Sequence, residues 1–172
     1  MLIFKIWPYK TKEELIDFRG DALGKPQLLT VLTCTSDFPD DSVRGEDDEV
    51  VRPSGLGVAE AISAALTNEG MSLTELCVEE DHGWYLSLEW QDLTFQIVVS
   101  DIGGECYITS FRPARGFVAW LLKKPDEEFR MFLETLHDVV ESDGRFHNIE
   151  WSAVEDGLKD PRGQRPSDGL RR

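Results

Sequence analysis

The sequence has no long apolar run, and nothing in it approaches the roughly 20 apolar residues of a helical membrane span. Residues 1–8 are largely apolar, but Lys5 interrupts them and no small-residue cleavage site follows. They read as neither a span nor a secretory leader. Cysteine is scarce: Cys34, Cys77 and Cys106 are odd in number and widely spaced, with no C-x-x-C. That argues against a secreted disulfide scaffold and predicts buried free thiols in a reducing, cytoplasmic setting.

Catalytic and ligand-binding motifs are missing as well. There is no G-x-S-x-G, no H-E-x-x-H and no H-x-H. Gly55-Leu56-Gly57 precedes a helical pattern, but the G-x-G-x-x-G is incomplete, no Lys follows and the surroundings are anionic, so it does not read as a phosphate site. Glu79, Glu80 and Asp81 sit beside His82, a grouping able in principle to hold a hard cation or act as a base. No second ligand set has metal spacing, and the segment reads as a solvated turn. The expectation is no catalytic residue, no metal and no cofactor.

Basic residues are the most unevenly distributed. The 172-residue chain carries 18 Lys plus Arg against 33 Asp plus Glu, a formal charge of −15. Between Arg52 and Arg112 there is no Lys or Arg at all. That stretch and the loop before it hold most of the acids that matter here. Asp37, Asp40, Asp41, Glu46, Asp47, Asp48 and Glu49 fill the loop 37–49, and Glu79, Glu80, Asp81, Glu89 and Asp92 follow. The imbalance argues against direct binding to nucleic-acid phosphates, which needs a positive stripe. It favours a basic protein partner, because opposite fields steer encounter.

What is present is enough apolar and aromatic material for a core. Residues 2–7 read as a strand, Thr11 to Glu14 as the capping box of a short helix, and 28–34 as a buried strand. The loop 37–49 has little to pack and should be exposed and mobile. Val58, Ala61, Ile62, Ala65 and Leu66 form the stripe of an amphipathic helix over 57–69, with Ser54 as its cap. After a strand over 73–79, Trp84, Leu86, Leu88 and Trp90 alternate with polar residues, and Leu93, Phe95, Ile97 and Val99 resume the same period. Gly103-Gly104 supplies a tight turn into a strand over 105–111.

The run 117–122 is dense in apolar residues and includes Trp120, which joins the candidate partner-binding residues as the centre of an apolar patch. A second amphipathic helix over 125–141 follows, striped by Phe129, Phe132, Leu133, Leu136 and Val140. A last strand runs from Phe146 to Trp151. The pattern specifies an α+β fold: an antiparallel sheet of four to five strands with two amphipathic helices on one face. Residues 1–50 form an N-terminal strand, helix, strand and acidic loop packed on the main domain. Residues 51–154 form that domain, and 155–172, rich in Gly, Pro, Asp and Arg, read as a disordered tail.

The helix–meander–helix order and the acidity of residues 50–151 resemble immunity proteins of bacterial toxin systems, and also secretion-chaperone-like α+β modules. The first resemblance implies a non-enzymatic protein that neutralises a basic toxin by charge complementarity and occlusion. The second implies an intracellular chaperone or adaptor for a secreted client; the apolar run 117–122 is the segment that would take an extended or helical client. A nucleic-acid mimic is a third possibility. The resemblances rest on element order and charge and carry over no individual residue.

Overall fold

The computed structural model describes residues 28–47, 49–79, 83–111, 127–153 and 163–170. The expected strand 2–7, the helix after Thr11, the run 117–122 with Trp120, and Asp48, Glu80, Asp81 and His82 lie outside the described residues.

The alternation in the middle of the chain produces a four-stranded meander: β4 (Ser72–Glu79), β5 (Gly83–Trp90), β6 (Leu93–Ile102) and β7 (Glu105–Phe111). Consecutive strands pair antiparallel. Gln91 and Asp92 make the β5–β6 turn with φ of 51° and 61°, and Gly103 and Gly104 make the β6–β7 turn with φ of 65° and 89°. Left-handed backbone at both central residues matches the right-handed twist of the flanking strands.

Among the described residues the sheet has six strands rather than four or five. β1 (Val31–Ser36) pairs with β7 on one side and with β8 (Phe146–Ser152) on the other, giving the order β4-β5-β6-β7-β1-β8. The strand read over 28–34 is therefore displaced toward the C-terminus. Leu28 and Leu29 are buried but precede the strand, and Leu29 N–H donates to Pro166 O at 3.0 Å. Apolar character records burial, and burial does not require membership of the ladder.

Trp84, Leu86, Leu88, Phe95, Ile97, Val99 and Ile108 are all buried on one face. Among the described residues, two helices cover that face: α1 (Leu56–Asn68) and α2 (Glu127–Ser142). α1 packs on α2 and on β4, β5 and β6. Phe132 of α2 stacks on Phe95 of β6, with ring centroids 4.5 Å apart and planes at 11°, and Phe129 extends the stack at 6.3 Å. The opposite face carries Thr33, Tyr85, Val98, Tyr107 and Thr109, which are half-buried rather than fully wet. In central strands each such side chain is shaded by cross-strand neighbours.

Two segments expected to be loose are built in. Val43–Arg44 (β2) and Val50–Arg52 (β3) pair as a short hairpin within the acidic loop. Phe38 anchors the start of that loop on Phe146, ring centroids 5.4 Å apart, with the Arg145 guanidinium 4.3 Å from the Phe38 centroid. Of the tail read as disordered, residues 163–170 dock on the domain. Gly163 exchanges two backbone hydrogen bonds with Trp151 (2.8 and 3.2 Å), and Pro166–Leu170 forms a 3-10 helix with Pro166 buried. Polar composition lowers the average gain from packing, but backbone bonds and a buried proline hold this segment against the domain.

No helix among the described residues is long and apolar enough to cross a membrane.

Candidate functional site

The register gathers acids at one end of the sheet. β6 ends and β7 begins there, β1 ends there, and the loop 37–42 and the hairpin leave from it. Asp37 Oδ2 lies 3.0 Å from His147 Nε2, and Asp37 N–H donates to Arg145 O. Asp40 Oδ1 accepts the Ser42 N–H at 2.9 Å, and the backbone and side-chain hydrogen bonds from Ser42 hold its carboxyl below the usual range. Glu46, Asp47 and Glu49 are exposed around the hairpin turn.

Asp41 has a different task. Its two carboxylate oxygens accept the N–H groups of Gly55 (2.7 Å), Leu56 (3.4 Å) and Gly57 (2.8 Å) at the start of α1. This corrects the assignment of Ser54 as the cap. The Ser54 hydroxyl instead donates to Asp101 O at 2.7 Å, and no side chain at the N-cap position itself caps the helix. Gly55 holds φ of 95°, and a Cβ at Gly57 would lie 3.3 Å from Phe38 and 3.7 Å from Asp41 Oδ2. The Gly-Leu-Gly sequence thus admits a carboxylate of the chain itself to the anion slot of a helix N-terminus. Asp41→Ala should lower stability by about 1–2 kcal/mol, the usual cost of a lost cap. Urea denaturation checks this, and a change below ~0.3 kcal/mol would contradict the capping role.

Asp101 completes the group. Burial pushes its carboxyl up, the Gly104 N–H that Oδ1 accepts at 2.9 Å opposes this, and Asp40 and Asp41 raise it further. Loop and sheet carboxylates therefore feel one another. A cleft of about 330 Å³ lined by Phe38, Asp40, Ser54, Asp101, Gly103 and Gly104 lies among them. Apolar side chains protrude beside the acids: Val43, Val50, Val51 and, at the β6–β7 turn, Ile102, which is 68% exposed.

The structure thus brings together Asp37, Asp40, Asp41, Glu46, Asp47 and Glu49, with Glu79 ending β4 at the same end of the sheet. It places Glu89 and Asp92 at the opposite end, where Asp92 shapes the β5–β6 turn. The exposed valines and Ile102 were not among the residues singled out from sequence. Their signal was an apolar residue with no partner in either periodic pattern.

A second cluster lies on α2. Glu134, Asp138 and Glu141 each approach Arg165, at 3.3, 3.3 and 3.5 Å, which ties residues 163–170 to the helix. His137, Asp138 and Glu141 bring ligand-type atoms within 4.8 Å of one another. Their chemistry does not suit a metal. The indole N–H of Trp151 donates to His137 Nδ1 at 3.2 Å, so the neutral ring carries its proton on Nε2, 3.5 Å from Glu141 Oε2. A protonated nitrogen has no lone pair to offer, and Arg165 already supplies the cation. His137 and Glu141 stand one helical turn apart, a spacing legible in the sequence.

Comparison with protein-family models, with curated proteins and with solved structures finds no match to this chain.

Proposed function

We propose that this chain is a non-enzymatic cytoplasmic binding protein that blocks a basic protein partner, most concretely an immunity protein that neutralises a toxin. One observation carries the reading: Asp40 and Asp41 stand near enough to Asp101, at the end of the sheet, to raise its carboxyl, Asp37 and the hairpin acids lie on the same loop, and Val43, Val50, Val51 and Ile102 are exposed. Carboxylates around an apolar centre match the division of labour in protein recognition. The charges speed and orient encounter, and the desolvated centre holds the complex. The stretch without Lys or Arg from 53 to 111 leaves this end without internal counter-charge from the meander.

The test is association kinetics with the basic partner, identified by capture from the native host or by gene neighbourhood. Between about 0.01 and 1 M ionic strength the screening length falls from about 30 to about 3 Å, and the on-rate should fall by about 10–10³-fold. Glu46→Gln, Asp47→Asn and Glu49→Gln together should lower the on-rate at low salt and leave stability within about 0.5 kcal/mol, because these side chains are exposed. Asp41 is left intact in this variant, since it caps α1. Kinetics indifferent to both salt and these substitutions would refute acidic docking. They would favour the escort reading centred on the 117–122 run.

A further inference from the structure

The two edges of the sheet are treated differently. At the β8 edge, Gly163 occupies the backbone of Trp151 in both directions. At the other edge, β4 pairs, among the described residues, with β5 alone. Its residues Ser72 to Glu75 are exposed on both faces. An edge strand presents a row of N–H and C=O groups to solvent, and protecting devices such as Lys, Pro or an inward charge are usual. β4 has no Lys and no Pro, and of such devices it carries a bulge between Leu73 and Glu75.

Its side chains are sorted by face. A bulge between Leu73 and Glu75 resets the alternation, so Leu73, Leu76 and Val78 stand opposite Leu88, Leu86 and Trp84. Those three partners are buried under the helices. Leu73, Leu76 and Val78 therefore prolong a core row past the last strand. Leu73 is 39% and Val78 44% exposed. Glu75, opposite Ser87, points to the other face and is exposed. Glu69 before the strand and Glu89, paired with Ser72, are exposed as well.

We propose that the β4 edge takes up an extended segment of the basic partner as a seventh strand, with apolar side chains against Leu73, Leu76 and Val78 and Lys or Arg side chains toward Glu75. The proposal rests on the basic-partner reading above and adds its mode of engagement. Main-chain pairing supplies affinity, and the alternating faces supply selectivity. A second copy of the chain is a poor occupant. It would bring a strand with Glu75 and Glu79 and no base against its own kind, between bodies of formal charge −15.

The probe is a capped synthetic peptide of alternating Val and Lys, matched to the eight residues of β4. Its control is the same peptide with every backbone nitrogen methylated, which keeps charge and side-chain order but leaves no N–H to pair. Each is titrated into the ¹⁵N-labelled full chain at about 0.01 M ionic strength, where charges act over roughly 30 Å. Amide shifts should centre on residues 72–79, those amides should gain protection from hydrogen exchange, and the methylated peptide should bind at least ~10-fold more weakly. Val78→Lys should abolish the response while leaving the spectrum elsewhere unchanged, and Glu75→Lys should weaken it. Equal affinity for both peptides, or shifts centred on residues 43–52, would overturn the edge site while sparing the basic-partner reading. No response to either peptide would count against both. Dimerisation on sedimentation, lost in Val78→Lys, would give the edge to a second copy and overturn the proposal.

Discussion

Phe132→Ala should destabilise the protein by about 3–5 kcal/mol, a large part of the ~5–15 kcal/mol that holds a domain together. Phe132 is fully buried between Phe95 and Phe129. Truncation removes the transfer gain of the ring, leaves a cavity the surrounding layer only partly refills, and breaks a stacked pair worth about 0.5–1.5 kcal/mol beyond its area. It also removes the stacked ring contact between the sheet and α2. Urea unfolding followed by tryptophan fluorescence should show a lower midpoint with an unchanged slope. Phe132→Leu, which keeps most of the volume, should lose far less. A loss under ~1 kcal/mol for the alanine variant would mean that the β6–α2 contact is not the centre of the core.

Gly83→Ala should cost about 2–6 kcal/mol, the sum of ~1–3 for strained backbone and ~1–3 for overpacking. Gly83 opens β5 with φ of 112°, and a Cβ there would fall 2.2 Å from the carbonyl oxygen of Val99. That oxygen belongs to the backbone of the neighbouring strand, so it cannot move without disturbing the Trp84–Val99 pairing. Gly144→Ala is the control. A Cβ there meets nothing within 4 Å, and its effect should stay within about 0.5 kcal/mol. Thermal or urea melts of the two variants distinguish a specific steric requirement from a general loss of glycine. Equal melts would refute it.

The meander was legible because its signal is local. Trp84 to Val99 alternates with period two, and a one-residue slip would turn Leu86 and Phe95 into water. The α2 stripe was legible for the same reason at period 3.6. The position of β1 was not, since nothing within residues 31–36 says that their partners are Cys106 and Trp151 rather than a nearer strand. The cap of α1 was misread because the search for a capping side chain looks at the adjoining residue, whereas Asp41 arrives from an upstream loop. The hairpin was hidden by its charge. Val43, Val50 and Val51 are too few to make a period among so many acids, and a bulge breaks what alternation there is. For the candidate site, the excess of carboxylates was plain in the sequence. Which of them share an end of the sheet, and which instead shape a turn or cap a helix, depended on register and on long-range hydrogen bonds.

The insertion of β1 between β7 and β8 has a biosynthetic consequence. Leu32 is paired on one side with Ile108 and on the other with Trp151, about 120 residues later. At roughly 5–20 residues per second the ribosome needs about 6–24 s to travel that distance. The meander can form as it emerges, because its turns are short and each strand pairs with the next. β1, by contrast, is made before either of its neighbours and waits with Leu29, Val31 and Leu32 uncovered. Until β7 emerges the nascent chain carries an apolar strand with no place to go, and from then until β8 emerges one that is paired on one side only. Truncation before β8 should leave the same strand half paired and prone to aggregate, however well the rest of the sheet has formed.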